Sequence, residues 1–202
     1  IIYSDIPPYR VLSTHDMSYG EIALLRDVAR MTEVYHNSGN FRTSLRYLEK
    51  RGYSEDPFRM YVGLCAYYRR QGGFERKFSM KDNTLTFLNF AKEILDPDPE
   101  DSVAVFRDLL KLDKYSYDAR GYIAELGMNM SSVHPDIPAG IFGSYDQNGS
   151  AGTGVRLRRE RYCFNVSKLL EFGIIEEGCG FVLYDISGNR PVMIKTAYLN
   201  HV

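Results

Sequence analysis

Apolar residues recur at helical spacing through the first half of the chain and give way to strand-like runs near its end. In "MSYGEIALLRDVARMTEVYHNSG", Ser18 stands at capping-box spacing from Glu21, and Ile22, Leu25, Val28, Ala29 and Tyr35 form an inner stripe that stops at Gly39. "NFRTSLRYLEKRG" puts Phe41, Leu45 and Leu48 on one face, with Gly52 just past the end. In "SEDPFRMYVGLCAYYRRQGG", Asp56 caps and Pro57 takes the first helical position. Phe58, Tyr61, Val62, Cys65 and Tyr68 make the stripe before Gly72-Gly73. A fourth helix carries Leu85, Leu88, Ala91 and Leu95. A fifth opens at Asp98-Pro99 and turns Val103, Phe106, Leu109 and Leu110 inward.

The pattern weakens beyond residue 115. "YSYDARGYIAELGMNM" reads as a short helix interrupted by glycine, and the Gly-, Pro- and Ser-rich stretch around 133–154 reads as loop. "RYCFNV", "GFVLYDI" and "VMIKTAYL" are β-branched and aromatic runs, the last two joined by a turn at Gly188-Asn189. Between the first and second, "SKLLEFG" predicts a helical turn stopped by Gly173. The expected fold is therefore α+β and predominantly helical, a cluster of about five to six helices with a small C-terminal antiparallel sheet. The expected organisation is a linker over 1–17 and one domain over 18–202: helical to 127, loop over 128–155, sheet over 156–202.

Composition narrows the functional classes. A net charge of −1 gives the chain as a whole no pull toward nucleic acid or an anionic membrane, so such a partner would need a local patch. No apolar run approaches the length of a membrane span, and no charged-then-apolar leader is read, so a cytoplasmic location is expected. Three cysteines, Cys65, Cys163 and Cys179, are odd in number and widely spaced, which suits neither a disulfide framework nor a zinc site. With 16 Tyr, 11 Phe and no Trp, much of the core must carry a phenol that needs a polar neighbour.

Candidate chemistry is sparse. His15, His36, His134 and His201 lie far apart without ligand spacing, so no metal site is expected. His36 stands with Tyr35 and Asn37 at a helix C-terminus, where an imidazolium suits the dipole and an amide caps carbonyls. The glycines at 149, 152 and 154 lack the Lys-Ser/Thr that ends a P-loop. "RLRRER" brings Arg156, Arg158, Arg159 and Arg161 together. In a strand, Arg156 and Arg158 share one face and Arg159 and Arg161 the other, which suits a solvated edge or RNA backbone contact. Sequons at Asn129, Asn148 and Asn165 matter only in a secreted protein. No nucleophile elbow, zincin motif, C-x-x-C or paired acids argue for a self-contained active site, and none is expected to be catalytic.

The first forty residues carry a resemblance. Pro7, Pro8, Tyr9, Val11 and Leu12 lead to a Ser-capped helix ending in Tyr35, Asn37, Ser38, Gly39 and Phe41. This run resembles the segment after the catalytic barrel in bacterial cobalamin-binding radical S-adenosylmethionine proteins, a region catalogued as a domain of unknown function (number 4080). "DPFRMYVGLCAYYRRQG" and "GFVLYDISGN" match the rest of that region in pattern.

The resemblance implies a parent enzyme that uses a [4Fe-4S] cluster, S-adenosylmethionine and cobalamin held in upstream domains, which would be this chain's partners. The cluster motif C-x-x-x-C-x-x-C and the corrinoid motif D-x-H-x-x-G are both missing from this sequence, so no cofactor is expected on the chain itself. On this reading residues 1–17 join an upstream barrel to an accessory domain that shapes substrate access, with Ile1, Ile2 and Tyr3 as the tail of an upstream strand. Pro7, Pro8, Tyr9, Tyr35, His36, Asn37 and Phe41 are the expected interdomain contacts. An RNA- or protein-substrate module using Arg156, Arg158, Arg159 and Arg161 is the alternative, and a stand-alone enzyme with an unrecognised site the third reading.

Overall fold

The structure is a computed structural model that describes residues 1–95, 100–118, 121–128, 137–138, 140–142, 156–188 and 190–199. His134, His201, Asn129, Asn148, Asn189, the cap at Asp98-Pro99, the glycines at 149, 152 and 154 and the rest of the 143–154 stretch lie outside the described residues. The chain divides into two compact units, Ile1–Phe90 and Ala91–Val202. Residues 1–17 belong to the first unit, and the division falls inside a helix.

The first unit opens with a small hairpin, β1 (Ile2–Tyr3) antiparallel to β2 (Val11–Ser13). Ile2 and Tyr3 thus pair within the chain itself, where an upstream partner was expected. Helix α1 (Tyr19–Thr32) starts on a full capping box. The Ser18 N–H donates to Glu21 Oε2 at 2.7 Å and the Glu21 N–H returns to Ser18 Oγ at 3.3 Å. It runs directly into a π-helical turn, Glu33–Asn37, and ends at Gly39 with φ 71°. Its buried residues are Val28 and Met31, with Tyr35 in the π turn, whereas Leu25 and Ala29 of the expected stripe face outward.

Helix α2 (Arg42–Gly52) buries Leu45 and Leu48 as its spacing predicts and retains Gly52 as its last residue. Helix α3 (Pro57–Arg70) begins where Asp56 accepts the Arg59 N–H at 3.1 Å. It buries Tyr61, Cys65 and Tyr68 but leaves Phe58 exposed. Helix α4 (Met80–Leu95) has its own capping box, unread in the sequence: the Ser79 N–H donates to Asp82 Oδ2 at 2.9 Å and the Asp82 N–H to Ser79 Oγ at 3.1 Å. Tyr35, Phe41 and Phe87 pack at centroid distances of 4.8 to 5.7 Å as the aromatic centre of this unit.

The second unit holds α5 (Glu100–Tyr117), a 3-10 turn at Ala124–Leu126, β3 (Leu157–Phe164), α6 (Val166–Phe172), β4 (Glu177–Asp185) and β5 (Val192–Leu199). The three strands form an antiparallel sheet in the order β3-β4-β5. With six α-helices and this sheet among the described residues, the fold is α+β, as the change of period implied. Asn165, a sequon asparagine, serves here as the N-cap of α6, and Gly173 ends that helix with φ 69°. In the middle strand, Phe181 and Leu183 pack with Phe142 on one face, while Val182 and Tyr184 are buried on the other. An unbroken apolar run such as "FVLY" is what a strand covered on both faces requires.

Candidate functional site

The densest polar chemistry in the described structure is a buried charge network between α5 and β3, inside the second unit. On α5, Asp108, Lys111 and Tyr115 are three and four residues apart and so share a face. On β3, Arg158, Glu160 and Tyr162 alternate with outward residues and share the inner face. Lys111 Nζ lies 3.2 Å from Asp108 Oδ1 and 3.9 Å from Glu160 Oε2, with Glu160 wholly buried and Lys111 nearly so. The same ammonium lies 4.5 Å from the centroid of the Tyr162 ring. The Tyr115 hydroxyl donates to Glu160 Oε1, and Arg158 donates to that hydroxyl at 3.3 Å. Tyr162 and Tyr184 share a hydroxyl contact at 2.8 Å, and Tyr184 stacks on Tyr115 at 4.4 Å.

Burial sets the proton affinities of this network. It raises the phenols of Tyr115, Tyr162 and Tyr184 well above the ordinary tyrosine range. Glu160 adds to the rise at Tyr115, and Tyr184 to that at Tyr162. Cys163 is pushed up to about 12 by burial and by Asp108, so its thiol stays protonated and unreactive. Two carboxylates and the Lys111 ammonium meet here away from solvent, with the half-buried Arg158 beside them, and they organise backbone. Asp108 Oδ2 accepts the Cys163 N–H at 2.8 Å, and Lys111 donates to the Arg161 carbonyl. The Asp108–Lys111 pair thus satisfies the main-chain groups of β3 on the side away from β4, as a neighbouring strand would.

The residues singled out in the sequence fall into separate places. Arg156 is exposed and fixed through its N–H to Ser187 Oγ at 2.7 Å. Arg158 turns into the network, Arg159 is half-buried, and exposed Arg161 donates to Cys179 Sγ at 3.3 Å. Arg156 precedes β3, and the three arginines within the strand divide between its two faces, so the four do not form a single-faced patch. Pro7, Pro8 and Tyr9 are exposed at the hairpin turn. His36 and Asn37 are exposed as well, and Asn37 Nδ2 donates to Glu33 Oε1 at 2.8 Å. Tyr35 and Phe41 are buried within the first unit, where the Tyr35 hydroxyl donates to the Asn83 carbonyl at 3.0 Å. His15 is exposed beside Asp16.

The inward face of β3 was not legible as a site, because Glu160 sits among arginines and reads as surface charge. The one available signal was the acid at even spacing from Tyr162 and Phe164. Among the described residues no group of three or more His, Cys, Asp or Glu is placed to hold a metal ion. No helix among them is long and apolar enough to cross a membrane.

A family model described as "Protein of unknown function (DUF4080)" matches residues 1–132, which takes in the first unit and α5 and stops before the sheet. No curated protein shows significant similarity to the chain. No solved structure does either.

Proposed function

The chain belongs to the family described as Protein of unknown function (DUF4080), and from that premise we propose that it is a non-catalytic accessory domain of a cobalamin-dependent radical S-adenosylmethionine enzyme. Its role is to pack on the catalytic barrel, exclude water and shape the path of the substrate. The observation that supports a docking role is the hairpin surface. Ile1, Ile2, Tyr3, Ile6, Tyr9 and Tyr19 are all exposed, Ile6 by 73%, within nineteen residues. Soluble domains seldom leave apolar side chains so concentrated unless a partner covers them. The hairpin is held in shape: the Ser4 N–H donates to the Arg10 carbonyl at 2.8 Å, the Tyr9 N–H to that of Ile6 at 3.1 Å, and Arg26 of α1 donates to the Val11 carbonyl.

The residues of this chain do not fit the cofactors that such an enzyme uses. Cys65 is buried in the first unit with its thiol pushed up to about 12 by burial, and Cys163 is held protonated in the second. Neither is set up as a thiolate for a cluster. Cluster, S-adenosylmethionine and corrinoid would belong to the remainder of the parent enzyme, in a cytoplasmic setting.

The test compares the full-length parent with a form lacking residues 18–202 and with Ile2→Glu/Ile6→Glu/Tyr9→Glu in the intact protein. Substrate turnover is expected to fall in both while unproductive cleavage of S-adenosylmethionine rises. Unchanged cleavage, turnover and solubility in both forms would sink the reading.

A further inference from the structure

Helix α2 of the first unit carries a row of cations that its own stability does not explain. Its inner face, Ser44, Leu45, Tyr47 and Leu48, is buried, and its outer face repeats Arg42, Arg46 and Lys50 every four residues, followed by Arg51. All four cations are exposed. The helix contains one acid, Glu49, which is half-buried. The side chains of Arg42, Arg46 and Lys50 make no hydrogen bond or ion pair with any described residue, and Arg51 rests over the Tyr47 ring at 5.6 Å. Like charges four apart repel, and Arg42 sits in the first turn, where the helix dipole disfavours a cation. Local rules broken without local compensation mark a position kept for something outside the chain.

The chemistry of the face selects its partner. No large apolar side chain is exposed on α2, so the face lacks the apolar flank of a membrane-surface helix and the apolar centre of a protein interface. Three of the four cations are arginines, whose planar donors match phosphate oxygens bidentately. From Arg42 to Lys50 the row runs about 12 Å at 1.5 Å per residue, enough to track several phosphates of one strand. The residues of the first unit include 13 Lys and Arg against 10 Asp and Glu, whereas the remainder of the chain has 12 against 16, so the near-neutral total conceals an electropositive half. We propose that the outer face of α2 docks the phosphodiester backbone of a nucleic acid, through Arg42, Arg46 and Lys50. This stands independently of the accessory-domain reading and of the arginines on β3.

The test is fluorescence anisotropy of the intact chain with labelled oligouridylate RNA, single-stranded DNA and duplex DNA of about 16 nucleotides, between roughly 50 and 200 mM salt. Saturable binding is expected, with log affinity falling against log salt with a slope of about −2 for three contacts on a single strand. Arg42→Glu/Arg46→Glu/Lys50→Glu should weaken binding at least about tenfold at the lowest salt, with an unchanged circular dichroism spectrum. The neutral set Arg42→Gln/Arg46→Gln/Lys50→Gln should flatten the salt slope and keeps the test valid if charge reversal unfolds the helix. The three nucleic acids separate RNA from DNA as the source of the backbone. The proposal is overturned if no nucleic acid binds saturably at low salt, or if the α2 variants bind as the parent does. It is overturned equally if only Arg156→Glu/Arg161→Glu abolishes binding, or if polyglutamate or anionic vesicles bind in place of nucleic acid.

Discussion

Lys111 and Tyr61 show the two ways a buried polar group can stand in this fold. Lys111 is surrounded by Asp108, Glu160, the Arg161 carbonyl and the Tyr162 ring. Lys111→Met should leave two carboxylates in a dry interior and cost about 3 to 5 kcal/mol, read as a lowered denaturant midpoint. Lys111→Met combined with Asp108→Leu and Glu160→Leu should recover the part of that loss due to orphaned charges, while the Cys163 N–H, the Arg161 carbonyl and the Tyr115 hydroxyl still lose their partners. The buried Tyr61 hydroxyl has no hydrogen-bond partner among the described residues, and burial pushes its phenol up to about 12. Tyr61→Phe is therefore expected to stabilise the protein by about 1 kcal/mol in the same measurement, and a loss of stability would show that the hydroxyl is in use. Gly180 is constrained by contact: a Cβ there would lie 2.0 Å from the Phe164 carbonyl oxygen. Gly180→Ala should cost about 2 kcal/mol or more, because β3 and β4 must separate to admit a methyl group.

Helix starts carry the acid dependence. Glu21 is held below its ordinary range chiefly by the Ser18 N–H, and Asp82 by the Ser79 N–H. Each folded pKa is depressed, so the contribution of these boxes is complete above the usual carboxylate range and is lost as pH falls through the lowered folded values. Melting followed by circular dichroism should show the midpoint falling below about pH 4, and less steeply in Glu21→Gln/Asp82→Asn. The first box was legible because Ser18 and Glu21 precede an apolar stripe. The second escaped because "SMKDN" offers Asp at the third position in place of Glu. Helix faces were less legible than helix ends. Leu25 and Phe58 fit the helical period but face outward, since a stripe wider than the contact it makes leaves its flanks in water.

Tyrosine governs the alkaline limit of the whole molecule. Tyr35 in the first unit and Tyr115, Tyr162 and Tyr184 in the second are buried as neutral phenols with pKa values above the ordinary one. A raised folded pKa makes this contribution complete below the unfolded value of about 10 and lost as pH rises beyond it. Alkaline titration followed by phenolate absorbance should show an exposed group of tyrosines ionising first. The buried set should ionise only together with loss of the circular dichroism signal. Smooth ionisation of all tyrosines in the folded protein would contradict the burial described here.

The α+β class, the succession of the helices and of the three C-terminal strands, several helix ends and the aromatic character of the core follow from local sequence, because capping, turn glycines and apolar period act over a few residues. The sequence determined as well that no known catalytic motif is present. Folding in three dimensions was needed to pair Ile2 and Tyr3 with β2, to make Tyr35 and Phe41 core, to turn Arg158 and Glu160 inward, and to set Asp108 and Lys111 on the open side of β3. Apart from the hairpin, whose paired residues stand eight to eleven positions apart, those outcomes depend on residues about forty or more positions apart, or on which of two strand faces meets a helix. A charge written in a sequence has the same letter on either face, and its surroundings decide whether it is solvent-exposed or part of a buried network.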